Sequence, residues 1–214
     1  MNSQRARAVL GGCLAVAVAI VLPSAAAAAA PATLTGEVLQ VQGEVSAACE
    51  RSGTVAYTAS GTAIGPYSGT FTETGMATGT FPSGTLTSLS ASFTIKSPSG
   101  DVLVSGAVTG TSGDWCSETS ADTNLDSAAT YQATIFTANG NYNDQGTSGV
   151  EAGIDSAGTA VFFDESFRSA LTQPVLISPT NKDQCKQGGW RTFPQFKNQG
   201  GCVSFVASGG KKPA

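Results

Sequence analysis

Between residues 35 and 169, apolar side chains recur at every second position. In 37–49, Leu39, Val41, Val45, Ala47 and Cys49 share one face, while Gln40, Gln42, Glu44 and Ser46 share the other. Successive side chains of extended backbone point to opposite faces, so this period of two marks a half-buried strand. The pattern repeats in 54–63, with Val55, Tyr57 and Ala59 inward, and in 67–77, where Tyr67 and Phe71 share a face with Glu73. It continues through Leu89, Ala91, Phe93 and Ile95, then Val102, Val104 and Val108, then Ala129, Tyr131, Ala133 and Ile135. Ser148, Val150, Ala152 and Ile154 form a seventh set, and Val161, Phe163 and Phe167 the last. Gly65-Pro66, Ser97-Pro98-Ser99-Gly100, Asn139-Gly140-Asn141 and Asp155-Ser156-Ala157-Gly158 are turn clusters between them.

Helical periodicity is absent from this stretch, so the body reads as mainly β. About eight strands in series with short turns predict an antiparallel meander. Closure into an up-and-down barrel removes the exposed edges that weakly charged, threonine-rich strands protect badly, which favours a barrel over the alternative sandwich. One connection, 111–127, is long, and it contains Asp114, Trp115, Cys116, Glu118, Asp122 and Asp126.

The two ends read differently. Arg5 and Arg7 precede a short apolar run from Leu14 to Leu22 and an alanine run, the pattern of a cleaved export signal over 1–30, with several cut sites competing within 28–32. Cys13 stands before the apolar run, which argues against its being a lipid attachment site. The β body is assigned to 31–172 and a proline-containing linker to 173–179. Residues 180–209 follow as a small unit: Thr180 with Asp183 has capping-box spacing, Gly188-Gly189 stops a first helix, and Asn198 starts a second.

Charge sharpens this division. The formal charge of −4 splits into +2 on the first 30 residues, −11 on 31–174 and +5 on the tail. Histidine is absent, which excludes Ser-His-Asp and Cys-His catalysis and histidine metal sites. Four cysteines remain beyond the signal: Cys49, Cys116, Cys185 and Cys202. In an exported chain they predict disulfides. Three connectivities are possible, and compositional grouping favours Cys49–Cys116 with Cys185–Cys202.

Candidate chemistry is sparse. Asp122, Asn124 and Asp126 have the spacing that opens an EF-hand loop, but Ser127 and Ala133 stand where glycine and glutamate are needed, which leaves only a looser calcium site. Glu73 and Glu165 fall on the apolar parity of their strands, where burial would raise their pKa values. They are the candidate carboxylates for acid–base work such as glycoside hydrolysis, which needs a pair roughly 5–10 Å apart. In the tail, Lys182, Lys186, Arg191 and Lys197 with Trp190 suit an anionic polymer or lipid headgroups. Alternatively, the bases solubilise the unit or pack it on the acidic body. Nucleic acid is disfavoured by the acidic body, and no cofactor motif is present.

Asp183-Gln-Cys-Lys-Gln-Gly-Gly-Trp190-Arg-Thr-Phe193, followed by Phe196-Lys-Asn-Gln-Gly-Gly-Cys202-Val-Ser-Phe205-Val-Ala, resembles a tail found in secreted actinobacterial-type proteins without an established activity. Gly65-Pro66-Tyr67-Ser-Gly-Thr-Phe71-Thr-Glu73 resembles bodies that precede such tails. The resemblance implies an exported envelope or extracellular protein and supplies no catalytic residues. The first expectation is therefore a non-enzymatic binding or adhesion module with a docking tail. The second is a small-ligand binder or carboxylate-dependent enzyme working inside the barrel.

Overall fold

A computed structural model describes residues 29–41, 45–48, 53–80, 85–114, 129–154 and 159–211. The strands run in chain order as β1 Val38–Val41, β2 Val45–Ala48, β3 Gly53–Ile64, β4 Gly69–Thr80, β5 Thr85–Lys96, β6 Val102–Gly110, β7 Gly113–Asp114, β8 Ala129–Thr137, β9 Gly140–Ile154, β10 Thr159–Ser169 and β11 Val175–Leu176. Each long strand pairs antiparallel with its neighbour in sequence. β1 and β2 pair with both β3 and β10, so together they fill one position of the sheet and close it. The result is a closed eight-stranded up-and-down barrel, with β7 paired to β5 and β11 added on β9.

The alternation read from the sequence sets which side chains fill it. Leu39, Tyr57, Ala59, Phe71, Leu89, Ala91, Phe93, Ile95, Val104, Val108, Ala129, Tyr131, Ala133, Ile135, Val150 and Phe167 are all buried in one core. Val102 is a correction: a register shift between Ile95 and Lys96 leaves it 40% exposed. Tyr67 lies in the turn before β4 rather than on the strand. The side chains of Val45, Ala47, Val55, Ala152, Ile154, Val161 and Phe163 lie outside the described residues. The outer face is largely hydroxyl-bearing; one cross-strand row runs Ser60, Thr72, Thr94, Ser105, Thr134.

Inward glycines fit the barrel to its aromatic filling. A Cβ at Gly75 would stand 2.5 Å from the Tyr57 ring, and one at Gly106 would stand 2.6 Å from the Phe93 ring. The space that small inward residues provide at these two points is taken by rings. Phe167 then packs 5.1 Å from both Phe93 and Tyr131, tilted against the first and edge-on to the second.

Residues before β1 fold across one end of the barrel. Leu34 is fully buried, and its N–H donates to Asp144 Oδ2 at 2.7 Å. Gly36 N–H donates to Phe167 O, and Tyr67 O–H donates to Ala32 O at 2.5 Å.

The C-terminal unit has its own small core of Cys185, Cys202 and Phe193, flanked by Ile177, Trp190, Phe196, Val203 and Val206. Lys182–Cys185 and Gly189–Thr192 are 3-10 turns, and Gln199–Ala207 is the helix α1. The expected cap moves by one residue. Asn181, not Thr180, accepts from the N–H groups of Asp183 and Gln184, and Gln184 accepts from Asn181 N–H in return. Asn198 caps α1 through Gly201 N–H, as expected. Cys185 and Cys202 form the disulfide; Cys49 and Cys116 lie outside the described residues. The stretch read as a linker is extended, with Val175 and Leu176 paired to Asn143 and Tyr142. Among the described residues, no helix is long and apolar enough to cross a membrane.

Two stability outcomes follow. Gly106→Ala forces the Phe93 ring or the Gln132 carbonyl to move, and should lower the unfolding free energy in denaturant by roughly 1–3 kcal/mol. Replacing Cys185 and Cys202 by serine removes the tail's cross-link. It should cost about 3 kcal/mol, read as faster amide exchange in 182–207 with the barrel amides unchanged.

Candidate functional site

Four strands bring four polar side chains together inside the barrel. β3 supplies Tyr57, β4 Glu73, β9 Ser148 and β10 Glu165. Both glutamates sit on the inward parity read from the sequence, and both are sealed from solvent, at 2% and 0% exposure. Asp164, next to Glu165, is half-buried on the opposite parity.

The side chains form one hydrogen-bonded chain. Tyr57 O–H donates to Glu73 Oε1 at 2.5 Å. Ser148 O–H donates to Glu165 Oε1. The two carboxyls interact with each other between these ends. No N–H or O–H group of the protein reaches Glu73 Oε2 or Glu165 Oε2. Two carboxylates this close and this dry cannot both ionise. Burial first, then the charge of Glu73, pushes the Glu165 carboxyl well above its usual range. Burial also raises Glu73, against the lowering effect of its bonds from Glu165 and Tyr57. Tyr57 is pushed up by burial and by both glutamates. The pair therefore carries one shared proton.

The arrangement is a proton-sharing dyad, able to donate and to accept at one point.

Two further buried acids were missed. Asp144 accepts from Tyr131 O–H at 3.0 Å, from Ser169 O–H at 2.5 Å, and from the N–H groups of Leu34 and Gln145. Glu37 is also buried; its Oε2 accepts from Tyr67 N–H at 2.8 Å and its Oε1 has no partner. Burial raises Glu37, opposed by that backbone bond. Burial and the charges of Asp144 and Glu37 raise Tyr67 to about 12. Parity would have revealed both acids. Glu37 precedes Leu39 by two, and Asp144 precedes Ser148 by four.

The tail residues do not join this site. Lys182, Lys186, Arg191 and Lys197 are exposed, and Trp190 is half-buried. Arg191 stacks 5.2 Å from the Trp190 ring centre. Lys186 pairs with Asp183 at 2.7 Å, which lowers the Asp183 carboxyl. Asp122, Asn124 and Asp126 lie outside the described residues. Among the described residues, no group of three or more Cys, Asp and Glu side chains is placed to hold a metal ion. Comparison with protein-family models, curated proteins and solved structures returned no match.

The shared proton has a direction in pH. The folded chain keeps a proton that the unfolded chain loses as pH rises past about 4.5, the ordinary carboxyl value. Stability from this source is complete below that pH and is lost as pH climbs toward the folded pKa. The unfolding temperature of the wild type should fall from pH 4.5 toward neutral, and Glu165→Gln should flatten that fall. Parallel curves for the two proteins would exclude the dyad as its cause.

Proposed function

We propose that this chain is an exported small-ligand-binding barrel whose recognition centre is the Tyr57–Glu73–Glu165–Ser148 chain. One observation carries the reading: two carboxyls are sealed inside a closed barrel, and each has an oxygen that no N–H or O–H group of the protein reaches. Burying such groups costs free energy that well-packed leucines would not. Strongly perturbed acids of this kind gather where a protein binds or turns over a molecule. Tyr57 and Ser148 each hold one oxygen of the pair, so both carboxyls are fixed in place before any ligand arrives. The signal-like first 30 residues, the tail disulfide and the resemblance of the tail to secreted proteins support export.

A second role belongs to the tail. Its exposed lysines, with Arg191 stacked on Trp190, support docking on anionic polymer or lipid headgroups beside the ligand site. Charge-neutral glutamine at Lys182, Arg191 and Lys197 should then abolish salt-sensitive binding to anionic vesicles.

The interior reading is tested by nuclear magnetic resonance on the full chain. An alkyl amine, an amide, a diol and a carboxylate are each titrated in. At least one class should shift the amides of Gly75, Ser148 and Val150, and should fail to do so in a folded Glu73→Gln/Glu165→Gln double variant. If no class moves these amides, or if the double variant responds equally, the interior is not a ligand site.

A further inference from the structure

We propose that the molecule this interior takes is a small organic monocation, a primary ammonium or amidinium, which donates to the buried, unpartnered carboxyl oxygens of Glu73 and Glu165. The inference rests on the interior-site reading above and names its ligand class.

The sign of the interior is one-sided. Glu37, Glu73, Asp144 and Glu165 are buried around the barrel, while every described lysine and arginine is exposed. Asp144 is satisfied by four donors from the protein. The dyad is not: its two Oε2 atoms are sealed from solvent and have no N–H or O–H donor beyond the shared proton. Buried carboxylates are retained with a partner cation or are neutralised. Here the proton is the only neutralising species that the described residues supply.

The position of that proton suits an N–H donor. Tyr57 and Ser148 hold one oxygen of each carboxyl, which leaves each Oε2 buried without an N–H or O–H donor. An ammonium or amidinium placed there donates to both oxygens with charge-assisted bonds. The exchange balances simply: the cation's N–H groups take over the bonds, and the shared proton leaves to solvent. An anion would meet four acids, and a neutral ligand would leave one carboxyl still holding its proton.

Aromatic faces add to the preference. Phe93 lies directly across from Glu73 in the β4–β5 register. Phe167 shares the inward face of β10 with Glu165, and its ring lies 5.1 Å from Phe93 and from Tyr131. Rings beside a carboxylate pair attract a desolvated cation through their quadrupoles. The titratable groups that meet at this pair are Tyr57 from β3, Glu73 from β4 and Glu165 from β10.

The experiment uses the full chain with methylamine, benzylamine and benzamidine, and with benzyl alcohol and benzamide as neutral counterparts. Calorimetry in two buffers of different ionisation enthalpy counts the protons released. Binding of at least one cation should release about one proton, tighten as pH rises through the dyad's titration, and shift the Ser148 and Val150 amides. Glu165→Gln and Glu73→Gln should each weaken it about tenfold or more, and Tyr57→Phe, which keeps both carboxyls, less. Neutral counterparts that bind equally well without proton release would overturn the cation inference and leave the interior site standing. Cation binding that survives both glutamine variants, or that leaves the interior amides unmoved, would place it on the surface and overturn the inference. If neither series moves the interior amides, this inference and the reading beneath it both fall.

Discussion

The pairing of the first strand with the last governs the rest of the molecule. Val38, Leu39 and Gln40 sit opposite Ser166, Glu165 and Asp164, while the same strand pairs with β3 on its other side. Closure satisfies the backbone groups that an open sheet would expose along its edges. It also removes water from one face of every strand. An inward glutamate on an open sheet would keep a hydrated side. Inside the barrel, Glu73 and Glu165 keep none, and their electrostatics are decided by each other. The shared proton is therefore a consequence of topology as much as of residue type.

Packing and electrostatics are coupled through the same few positions. Gly75 yields its place to the Tyr57 ring, and Tyr57 in turn donates to Glu73. Gly106 yields to Phe93, which packs against Phe167 two residues beyond Glu165. A side chain at either glycine would push an aromatic ring toward the polar chain. The glycines that look like gaps in the sequence are the positions that let rings and carboxyls share one narrow interior.

Much of this was legible before any coordinates. Strict alternation in 89–95 and 129–135 fixed which residues point inward, because a period of two leaves only two choices per strand. The same rule put Glu73 and Glu165 inside. It failed at Val102, where a bulge shifts the register, and bulges have no sequence period. Contact between two inward residues on distant strands was not legible. Parity gives a face, while the meeting of Glu73 with Glu165 depends on barrel stagger. Asp144 obeyed parity but lay before Ser148, where the seventh set was read to begin; Glu37 opened the first strand on the inward parity and was passed over because its neighbours on that face are apolar. The tail cap moved from Thr180 to Asn181 because both residues can cap, and Gln184 completes the box only for Asn181.

The charge arithmetic changes meaning once the acids are placed. The sequence divides into an acidic body and a basic tail, which suggests a molecule with two oppositely charged surfaces. Yet four of the body's acids, Glu37, Glu73, Asp144 and Glu165, are buried, and the dyad holds a proton. Among the barrel acids whose side chains are described, Asp101 is exposed and Asp164 half-buried, on an outer wall rich in threonine and serine. The described tail bases form no ion pair with the barrel; the pairing found is Lys186 with Asp183, inside the tail itself. Part of the negative character of the barrel therefore belongs to its interior. The positive character of the tail stays at the surface, on exposed lysines and Arg191, apart from the buried acids of the barrel.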